Sequence, residues 1–501
     1  MKKMNLLVMS LVSAAALSFT SCSDSEDLAN DKAGQEKVDG FYMTLTVQSP
    51  NASGTRTSVL DPTENATAGE AAIKTGTLYL VDKDNKIVFT GNLKDLTWSG
   101  AVKGENGSTT PKQDGNQTFE IKVPAVEADK TYRVYFLAGN NKPAPEMDFT
   151  DTNKNVFTAT SKFAAPFATN DNFAMFNQND AQVNGNGYSV TFKQANNNLQ
   201  NPAKVYYDGA VSPIKVERVV ARIDAPIPGT SKVLAEAPAD ASAALQVAMK
   251  DAKKKVAEIK LLNYAVSNLA KKSYVMQTWG ADNKLIIPEG FSYYQPTEDF
   301  GGNYDYKDGG FTTTEATKVN YVFENNSSEK PTTMYFEYQI KLDNSKFTGP
   351  ADFKDGTFYR YNNVIYTSFA QIFEDYKDVT NLFAEGKNAG TMKAELEDAK
   401  KVETGQEVKD VETKLSEFRQ KYHIEVFNEG KTYYKYVIKD NHIGYANAIQ
   451  RNSIYRLNIN NIFNVGAQVP NGTPTENDYY YLNVTVTVNP WVLNEDNVNL
   501  Q

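Results

Sequence analysis

Apolar and polar residues alternate along much of this chain, which is the pattern of β-strands that bury one face. The clearest example is residues 41–47, FYMTLTV, in which every second residue is apolar and the residues between are tyrosine or threonine. Side chains at alternate positions of a strand lie on the same face of its sheet. The segment therefore predicts a strand whose buried face consists of Phe41, Met43, Leu45 and Val47.

Shorter runs of the same kind recur along the chain and are separated by glycine, asparagine and proline. Thr77–Val81 and Ile87–Thr90 predict a hairpin around the polar turn 82–85. Short strands punctuated in this way are typical of a β-sandwich. The further predicted strands are Phe119–Val123, Thr131–Ala138, Tyr188–Phe192, Lys204–Tyr207, Ile259–Val266, Ser273–Gln277, Val319–Phe323, Met334–Leu342, Lys431–Ile438, Ser453–Ile459 and Tyr480–Val488.

Two parts of the chain carry helical spacing instead. Ala241–Lys255 has apolar residues three or four positions apart, as on one face of a helix. Within residues 368–422, Val411, Leu415 and Phe418 form one apolar stripe. We therefore expect a mainly β protein with a helical insertion in its C-terminal part.

The length and charge of the chain argue against some classes of function. Its 501 residues are enough for two or three domains with cores of their own. The net charge of −9 is spread along the chain without a basic stripe. We therefore expect no binding to nucleic acid and none to an anionic membrane surface.

Residues suited to catalysis or metal binding are scarce. The chain has one cysteine, Cys22, and two histidines, His423 and His442, and it lacks the common hydrolase, phosphate-binding and dinucleotide-binding motifs. Asp305 and Asp308 lie near glycines, but the ligand spacing of a calcium loop is missing, which favours a plain turn. We expect a protein that is not an enzyme and that holds no cofactor and no metal.

The first residues are typical of an export signal. Lys2 and Lys3 precede the apolar run Leu6–Leu17, which is too short for a stable transmembrane helix. Cys22 lies where a lipoprotein signal peptidase needs its cysteine, and the residues before it resemble a lipobox. The polar residues 23–38 predict a flexible tether. The alternative is an ordinary signal peptide with an unrelated cysteine.

Several stretches, taken in their order along the chain, resemble one protein family. They are the lipobox, the strand 41–47, the loop that ends in Arg56, Lys130–Ala138, Lys215–Ile223, and a C-terminal block from Arg451 through Pro490–Leu493. By these residues the chain resembles the precursors of fimbrillins, the subunits of the type V pili of Bacteroidia. It looks most like the stalk subunit of the short, or minor, fimbria. The resemblance spans the chain and is weakest over residues 230–420.

The resemblance implies a fold and a maturation pathway. Fimbrillins consist of two β-sandwich, transthyretin-like domains and are exported as outer-membrane lipoproteins, here with a lipid on Cys22. An arginine-specific surface protease then cuts after an arginine in the first loop, and Arg56 is the only arginine in the first 132 residues. The cut would make Thr57 the new N-terminus and would remove the strand 41–47. The alternative is that Arg56 is a plain loop residue.

The resemblance also implies that a C-terminal strand of the next subunit fills the vacated groove. Leu482–Val488 has apolar residues at alternate positions and predicts the closing strand of the last domain. We assign Trp491–Gln501 as the mobile donor; the alternative is that the whole tail packs on its own domain. The apolar residues of this donor tail are Trp491, Leu493, Val498 and Leu500.

These inferences divide the chain into five parts and suggest a function. The parts are a signal peptide (1–22), a tether and strand removed on maturation (23–56), an N-terminal β-sandwich domain (57–212), a C-terminal β-sandwich domain (213–490) with a helical insertion at about 368–422, and the donor tail (491–501). We expect a structural subunit of a cell-surface fimbrium that polymerises by donor-strand exchange and supports adhesion and biofilm formation. Its partners would be neighbouring copies, the protease, and tip and anchor pilins. The alternatives are an accessory tip or anchor pilin and a glycan-binding surface lipoprotein.

Overall fold

The computed structural model describes most of the chain between residues 40 and 492. The described residues are 40–48, 64–65, 70, 73–93, 116–124, 126–139, 146–159, 164–169, 172–178, 187–226, 229, 231–280, 285–288, 293–294, 312–313, 319–404, 408–440, 448–469 and 482–492. The predicted signal peptide and tether lie outside these ranges.

Strands are the dominant element of the described ranges. They are β1 (Phe41–Gln48), β2 (Glu64–Asn65), β3 (Gly76–Val81), β4 (Ile87–Leu93), β5 (Asn116–Val123), β6 (Thr131–Ala138), β7 (Val156–Thr158), β8 (Ala168–Thr169), β9 (Asn172–Phe173), β10 (Met175–Asn177), β11 (Ser189–Thr191), β12 (Ala203–Tyr207), β13 (Ala210–Val211), β14 (Ile214–Arg218), β15 (Ala221–Asp224), β16 (Ser231–Lys232), β17 (Val256–Ser267), β18 (Leu269–Ala270), β19 (Lys272–Tyr274), β20 (Thr278–Trp279), β21 (Leu285–Ile286), β22 (Tyr293–Tyr294), β23 (Thr312–Thr313), β24 (Val319–Val322), β25 (Thr333–Leu342), β26 (Phe358–Tyr361), β27 (Val364–Tyr366), β28 (Glu425–Phe427), β29 (Lys431–Val437), β30 (Ser453–Ile462) and β31 (Leu482–Val492).

Helices are fewer in the same ranges. They are α1 (Ala243–Lys255), α2 (Phe369–Asp375), α3 (Ala389–Lys400) and α4 (Val408–Tyr422). No helix in the described ranges combines the length and the apolar character needed to cross a membrane. The predicted mainly β fold is confirmed, while the number of β-sandwiches stays a prediction.

The first and largest sheet is built from strands of the N-terminal half. Its strand order is β10-β14-β1-β12-β11-β6-β3-β4, with β13 beside β12 and β5 beside β1. β1 runs parallel to β12 and to β14, and the remaining pairs are antiparallel. β14 belongs to this sheet, whereas β15 belongs to the next one. The change of sheet therefore falls between Arg218 and Ala221.

The first hairpin forms as its sequence predicts. β3 and β4 pair antiparallel, and the turn between them is closed by the Asp82 side chain. Its Oδ1 accepts hydrogen bonds of 2.9 Å from the backbone N–H groups of Asp84 and Lys86. Asn85 has φ of 64°, a left-handed conformation that asparagine tolerates better than most residues.

Two further large sheets are built from strands after residue 220, together with β2 from the N-terminal part. One has the order β2-β31-β30-β15-β24, and the other has the order β16-β17-β25-β29, with β23 beside β17. A single cluster of buried apolar residues joins them, with contributions such as Ile223 from β15, Tyr455 from β30 and Phe336 from β25. α1 adds Leu245 and Met249 to the same core.

The helix predicted for Ala241–Lys255 is confirmed by α1. Ser242 is its N-cap, and the Oγ atom accepts a hydrogen bond of 3.3 Å from the backbone N–H of Leu245. Serine is favoured at this position because its side chain satisfies a backbone donor that the helix leaves unpaired. The chain then passes from Lys255 directly into β17.

The helices predicted within residues 368–422 are also present, and they surround a core of their own. α2, α3 and α4 pack with the small sheet β27-β26-β28. The predicted stripe of Val411, Leu415 and Phe418 is buried in this core. The core consists of Tyr359, Tyr366, Phe369, Ile372, Leu382, Met392, Leu396, Ala399, Val411, Leu415, Phe418, Tyr422, Ile424 and Val426.

β25 departs from the alternating burial that its sequence predicts. All six residues of its first part, 333–338, are buried. β25 lies between β17 and β29, and both of its faces are covered. Phe336 and Tyr338 contribute to the main C-terminal core, while Tyr335 packs with Ala265 and Tyr433 in a separate small cluster. A strand covered on both faces buries its polar face too, which explains the difference.

Candidate functional site

β1 lies inside the first sheet and has strand partners on both sides. Along one side all eight of its residues pair antiparallel with β5. Along the other side it pairs in parallel first with β12, at Met43 opposite Ala203, and then with β14, at Val47 opposite Ile214. Removal of β1 would therefore leave a gap one strand wide between β5 and the two parallel strands.

The inner face of β1 is buried along its whole length. Phe41 is 4% exposed, and Met43, Leu45 and Val47 are each 0% exposed. The Phe41 ring lies 5.5 Å, centroid to centroid, from the ring of Phe192 in the core beneath. Burying four such side chains contributes on the order of 6–12 kcal/mol. The residues predicted for the removable strand thus share one buried face, while their removal stays a prediction.

The outer face of β1 is polar and half-buried. Thr46 and Thr118 are cross-strand neighbours, with their Oγ1 atoms 3.0 Å apart. The strand begins after Gly40, whose φ of +98° is a conformation that residues with a side chain rarely adopt. A Cβ atom at Gly40 would also lie 3.3 Å from the carbonyl oxygen of Val123, at the end of β5. Glycine therefore allows the chain to enter the sheet beside β5.

The other predicted site residues fall at the end of the described ranges or outside them. Trp491 lies in β31, of which the backbone alone is described. Those outside the described residues are Cys22, Arg56, Thr57, Leu493, Val498 and Leu500. Lipidation, proteolytic processing and strand donation at these positions stay predictions.

Seven of the eight arginines of the chain lie in the described ranges, and hydrogen bonds hold them in the fold. Four are buried, and the other three are half-buried and donate to carbonyl or side-chain oxygens. Proteases cut extended, accessible segments. The seven arginines are therefore poor protease sites in the folded chain; they are Arg133, Arg218, Arg222, Arg360, Arg419, Arg451 and Arg456.

β31 lies between β30 and β2. It pairs antiparallel with β30 as far as Pro490, which lies opposite the first residue of β30. Its last two residues, Trp491 and Val492, pair in parallel with β2. The strand predicted to close the domain at Val488 therefore continues to Val492, because β2 supplies backbone partners beyond the end of β30. β2 follows the predicted cleavage loop in sequence, so the segment after that loop meets the base of the predicted donor tail.

A buried ion pair lies where the first sheet meets the C-terminal sheets. Arg451 and Glu324 are both 0% exposed, and the Nη2 and Nε atoms of Arg451 donate hydrogen bonds of 2.7 and 3.0 Å to the two carboxylate oxygens of Glu324. Arg451 also donates to the carbonyl oxygen of Val275 and to the Oγ atom of Ser273, each at 2.9 Å. This bidentate, fully hydrogen-bonded geometry is the one in which a buried ion pair is best compensated for its lost hydration.

A second buried carboxyl, that of Glu217 in β14, lies beside this pair without being part of it. Its Oε1 atom is 3.9 Å from Nη1 of Arg451, and neither of its oxygens has a hydrogen-bond partner among the described residues. Burial raises the pKa of Glu217 to about 8, with the charge of Arg451 opposing the rise and that of Glu324 adding to it. No group of three or more possible metal-binding side chains occurs in the described ranges.

The next residue of β14, Arg218, ties the first sheet to the segment that precedes β3 and to the C-terminal sheets. Its Nε atom donates to the backbone carbonyl of Glu70 at 2.9 Å, and Nη1 donates to Oδ1 of Asn452 at 3.0 Å. The Glu70 carboxylate in turn accepts from Arg222 at 3.2 Å and from the Tyr321 hydroxyl at 2.9 Å. Glu70, which precedes β3, is thus held by contacts that do not involve β1.

Sequence reasoning missed this buried cluster and the neighbours of β1. A signal for the cluster was present, because Glu217 and Arg218 interrupt an apolar run, and buried charges require partners. Their partners lie far along the chain, so one sequence gives no spacing that identifies them. The parallel pairings of β1 with β12 and β14 likewise join segments that lie far apart in the sequence.

One family model matches the C-terminal part of the chain. The family model described as major fimbrial subunit protein type IV, fimbrillin, C-terminal, matches residues 425–497, from β28 through β31. No curated protein sequence matches the chain. A crystal structure of a fimbrial assembly protein from Parabacteroides distasonis matches 61% of this chain and 82% of its own, with 11% identity and a TM-score of 0.30. Residues 425–497 therefore match the C-terminal region of fimbrillins, which are structural, non-enzymatic subunits of cell-surface pili.

Proposed function

We propose that the chain is the precursor of a stalk subunit of a short pilus, and that it polymerises by strand exchange. The precursor is an outer-membrane lipoprotein modified at Cys22, and an arginine-specific protease cuts it after Arg56. β1 then leaves with residues 1–56, and the C-terminal tail of a neighbouring subunit takes its place. The observation that carries the proposal is the position of β1, a strand that is buried on one face, paired on both edges, and followed in sequence by Arg56.

The energetics of β1 explain how a cut could drive assembly. While the chain is intact, the strand is held as part of the same molecule, so its loss is prevented by covalent connection. Once the connection is cut, the strand can dissociate and expose apolar surface worth on the order of 6–12 kcal/mol. The gap also leaves unpaired backbone groups on both sides, which is the situation that strand addition resolves.

The distribution of arginines supports Arg56 as the processing site. The other seven are buried or half-buried and hydrogen-bonded within the fold. Arg56 is flanked by Gly54, Thr55, Thr57 and Ser58, small residues that suit a protease-accessible loop. An arginine-specific enzyme acting on the folded precursor therefore has this bond as its remaining candidate.

The proposed role as a stalk subunit rests on one chain having both the groove that accepts a strand and the C-terminal tail that donates one. An anchor subunit would keep its lipid and remain uncut, and a tip subunit would lack a usable donor tail. This chain has a candidate processing site, Arg56, and a candidate donor tail whose apolar residues are Trp491, Leu493, Val498 and Leu500. We further propose that residues 57–212 and 213–490 form the two domains of the mature subunit, with adhesion and biofilm formation as the role of the assembled fibre.

The proposal is tested by the N-terminus of the subunit in assembled fibres. Surface filaments are purified and their subunits sequenced from the N-terminus, and the expected first residue is Thr57.

Arg56→Ala should leave a lipidated precursor that is absent from fibres, because its groove stays occupied. Arg456→Lys, a conservative change of a half-buried arginine, is the matched control and should be processed normally. Fibres whose subunits begin with lipidated Cys22 would overturn the proposal.

A further inference from the structure

β5 differs from every other long strand around β1 in how it is held in the sheet. β12 also pairs with β11 and β13, and β14 also pairs with β10. β5 pairs with β1 over all eight of its residues, and within the described ranges it has no other strand partner. Among the described strands the two sides of the groove are therefore unequal, because β12 and β14 are hydrogen-bonded to further strands of the sheet, whereas the backbone of β5 pairs with β1 alone.

We infer that β5 is a movable wall of the groove, ordered by whichever strand occupies it. This inference rests on the proposed function and adds to it which residues of the acceptor bind the incoming strand. When β1 leaves, β5 loses its inter-strand backbone hydrogen bonds and leaves the sheet. When a strand from a second copy enters, β5 closes on it and restores the pairing.

The C-terminal end of β5 is fixed, which makes the movement a hinged one. The backbone N–H of Glu127 donates to the Tyr132 hydroxyl at 3.0 Å, and that of Asp129 donates to the carbonyl oxygen of Phe192 at 2.7 Å. The Asp129 carboxylate also pairs with Lys193 at 2.8 Å. These bonds involve neither β1 nor β5, so they persist when the groove is empty, and β5 pivots about the residues that follow Val123.

The chemistry of β5 defines the strand that it can bind. Ile121 and Val123 are buried, and they lie opposite Met43 and Phe41 on the inner face of the sheet. An incoming strand must therefore present apolar side chains at alternate positions and a long run of free backbone groups. It must also run antiparallel to β5, so it enters in the same direction as β1. A shift of register by one residue would turn the apolar row toward solvent, so β5 also selects the register.

Hydrogen exchange of the full chain provides the first test. Leu45→Asn places an amide in the buried face of β1 and should weaken its docking, whereas Thr44→Asn places the same amide on the outer face and is the matched control. We expect the β5 amides to lose about a hundred-fold of their protection in Leu45→Asn. Amides of β3, which pairs with β4 and β6, should keep theirs. Loss of protection in β3 and β5 together would mean global unfolding and would contradict the inference that β5 moves independently of the rest of the sheet.

Replacement of the strand provides the second test and separates the inference from the proposed function. The full chain is cut after Arg56 with an arginine-specific protease, and the released fragment is removed. β5 should then exchange freely, and a peptide of residues 40–48 should restore its protection, whereas the same peptide with Leu45→Asn should not. Continued protection of β5 in the emptied subunit would overturn the inference even if fibres form. If the peptide protects β5 but the C-terminal tail of another copy does not, the inference stands and the assignment of the donor fails.

Discussion

At the residue scale, the two buried glutamates at the junction of the sheets illustrate two outcomes of burying a charge. Glu324 accepts two hydrogen bonds from Arg451. Glu217 lies beside the same arginine but at 3.9 Å, with no hydrogen bond to either oxygen. One buried cation serves one buried carboxylate, so the second carboxyl is stabilised by keeping its proton.

This difference predicts opposite effects of the same substitution at the two sites. The pKa of Glu217 rises from 4.5 to about 8 on folding, mainly through burial. Between these values the folded state holds a proton that the unfolded chain has released, so the free energy of unfolding falls as pH rises through this window. Glu217→Gln should remove that fall and leave the protein more stable than the wild type above pH 8, as measured by urea denaturation across the pH range.

The matched substitution is Glu324→Gln, which leaves Arg451 charged and without its buried partner. Breaking a buried pair in this way costs about 3–5 kcal/mol. The variant should therefore be less stable than the wild type at neutral pH. Equal effects of the two substitutions would contradict the assignment of the proton to Glu217.

The sequence predicts some of these residues and not others. The alternation over residues 41–47 is a local pattern, and it correctly indicates which side chains of β1 are buried. Partnership between Glu217, Glu324 and Arg451 depends on tertiary contacts between distant segments. Local spacing carries no information about such contacts. The sequence therefore shows that Glu217 and Arg218 interrupt an apolar run, but it does not show which residues are their partners.

At the scale of elements, the same distinction between local and distant information holds. β6 begins and ends where its sequence predicts, and α1 does so within two residues, because its apolar residues have helical spacing and Ser242 caps its N-terminus. β25 was expected to expose one face and exposes little of either in its first part, because it is central and covered on both sides. The parallel neighbours of β1 could not be predicted, since parallel pairing joins strands that are far apart in sequence.

The pairing of β1 with β5 gives a prediction at this scale. In the double variant Thr46→Cys, Thr118→Cys, a disulfide should form, because these cross-strand neighbours have their Oγ1 atoms 3.0 Å apart. Cleavage after Arg56 would then leave residues 1–56 attached to β5. We expect processed subunits that do not polymerise until a reductant releases the strand, as followed by sedimentation and electron microscopy.

A second cross-strand pair in the same sheet serves as the control. Thr131 and Thr191 face each other between β6 and β11, with their Oγ1 atoms 2.7 Å apart, and neither strand is β1 or β5. Thr131→Cys with Thr191→Cys should therefore cross-link the sheet without preventing assembly. Fibres formed by the first variant under oxidising conditions would show that β1 need not leave.

At the scale of the whole molecule, the groove and the tail are at different places on one chain. The groove lies in the first sheet, whereas β31 belongs to the second and ends beside β2. A contact between such unlike surfaces is heterologous, and when repeated it gives an open fibre instead of a closed ring. The sequence predicts the strand that occupies the groove from its alternating pattern, whereas the donor tail stays a prediction and the strands that line the groove could not be predicted.

This asymmetry predicts the behaviour of two complementary variants. An Arg56→Ala chain keeps β1 in its groove but has an intact tail. A chain cut after Arg56 and truncated after Val492 has an empty groove and lacks residues 493–501 of the donor tail, while β31 is kept whole. Neither can extend a fibre alone, so each should remain monomeric.

An equimolar mixture should form heterodimers and no larger species, because one chain supplies only a tail and the other only an empty groove. Light scattering after size-exclusion chromatography distinguishes the outcomes. Fibres from the mixture would mean that a second contact exists, and monomers alone would mean that the tail of the uncut chain does not fill the empty groove. Polymers of the truncated chain alone would mean that residues 493–501 do not contain the donor.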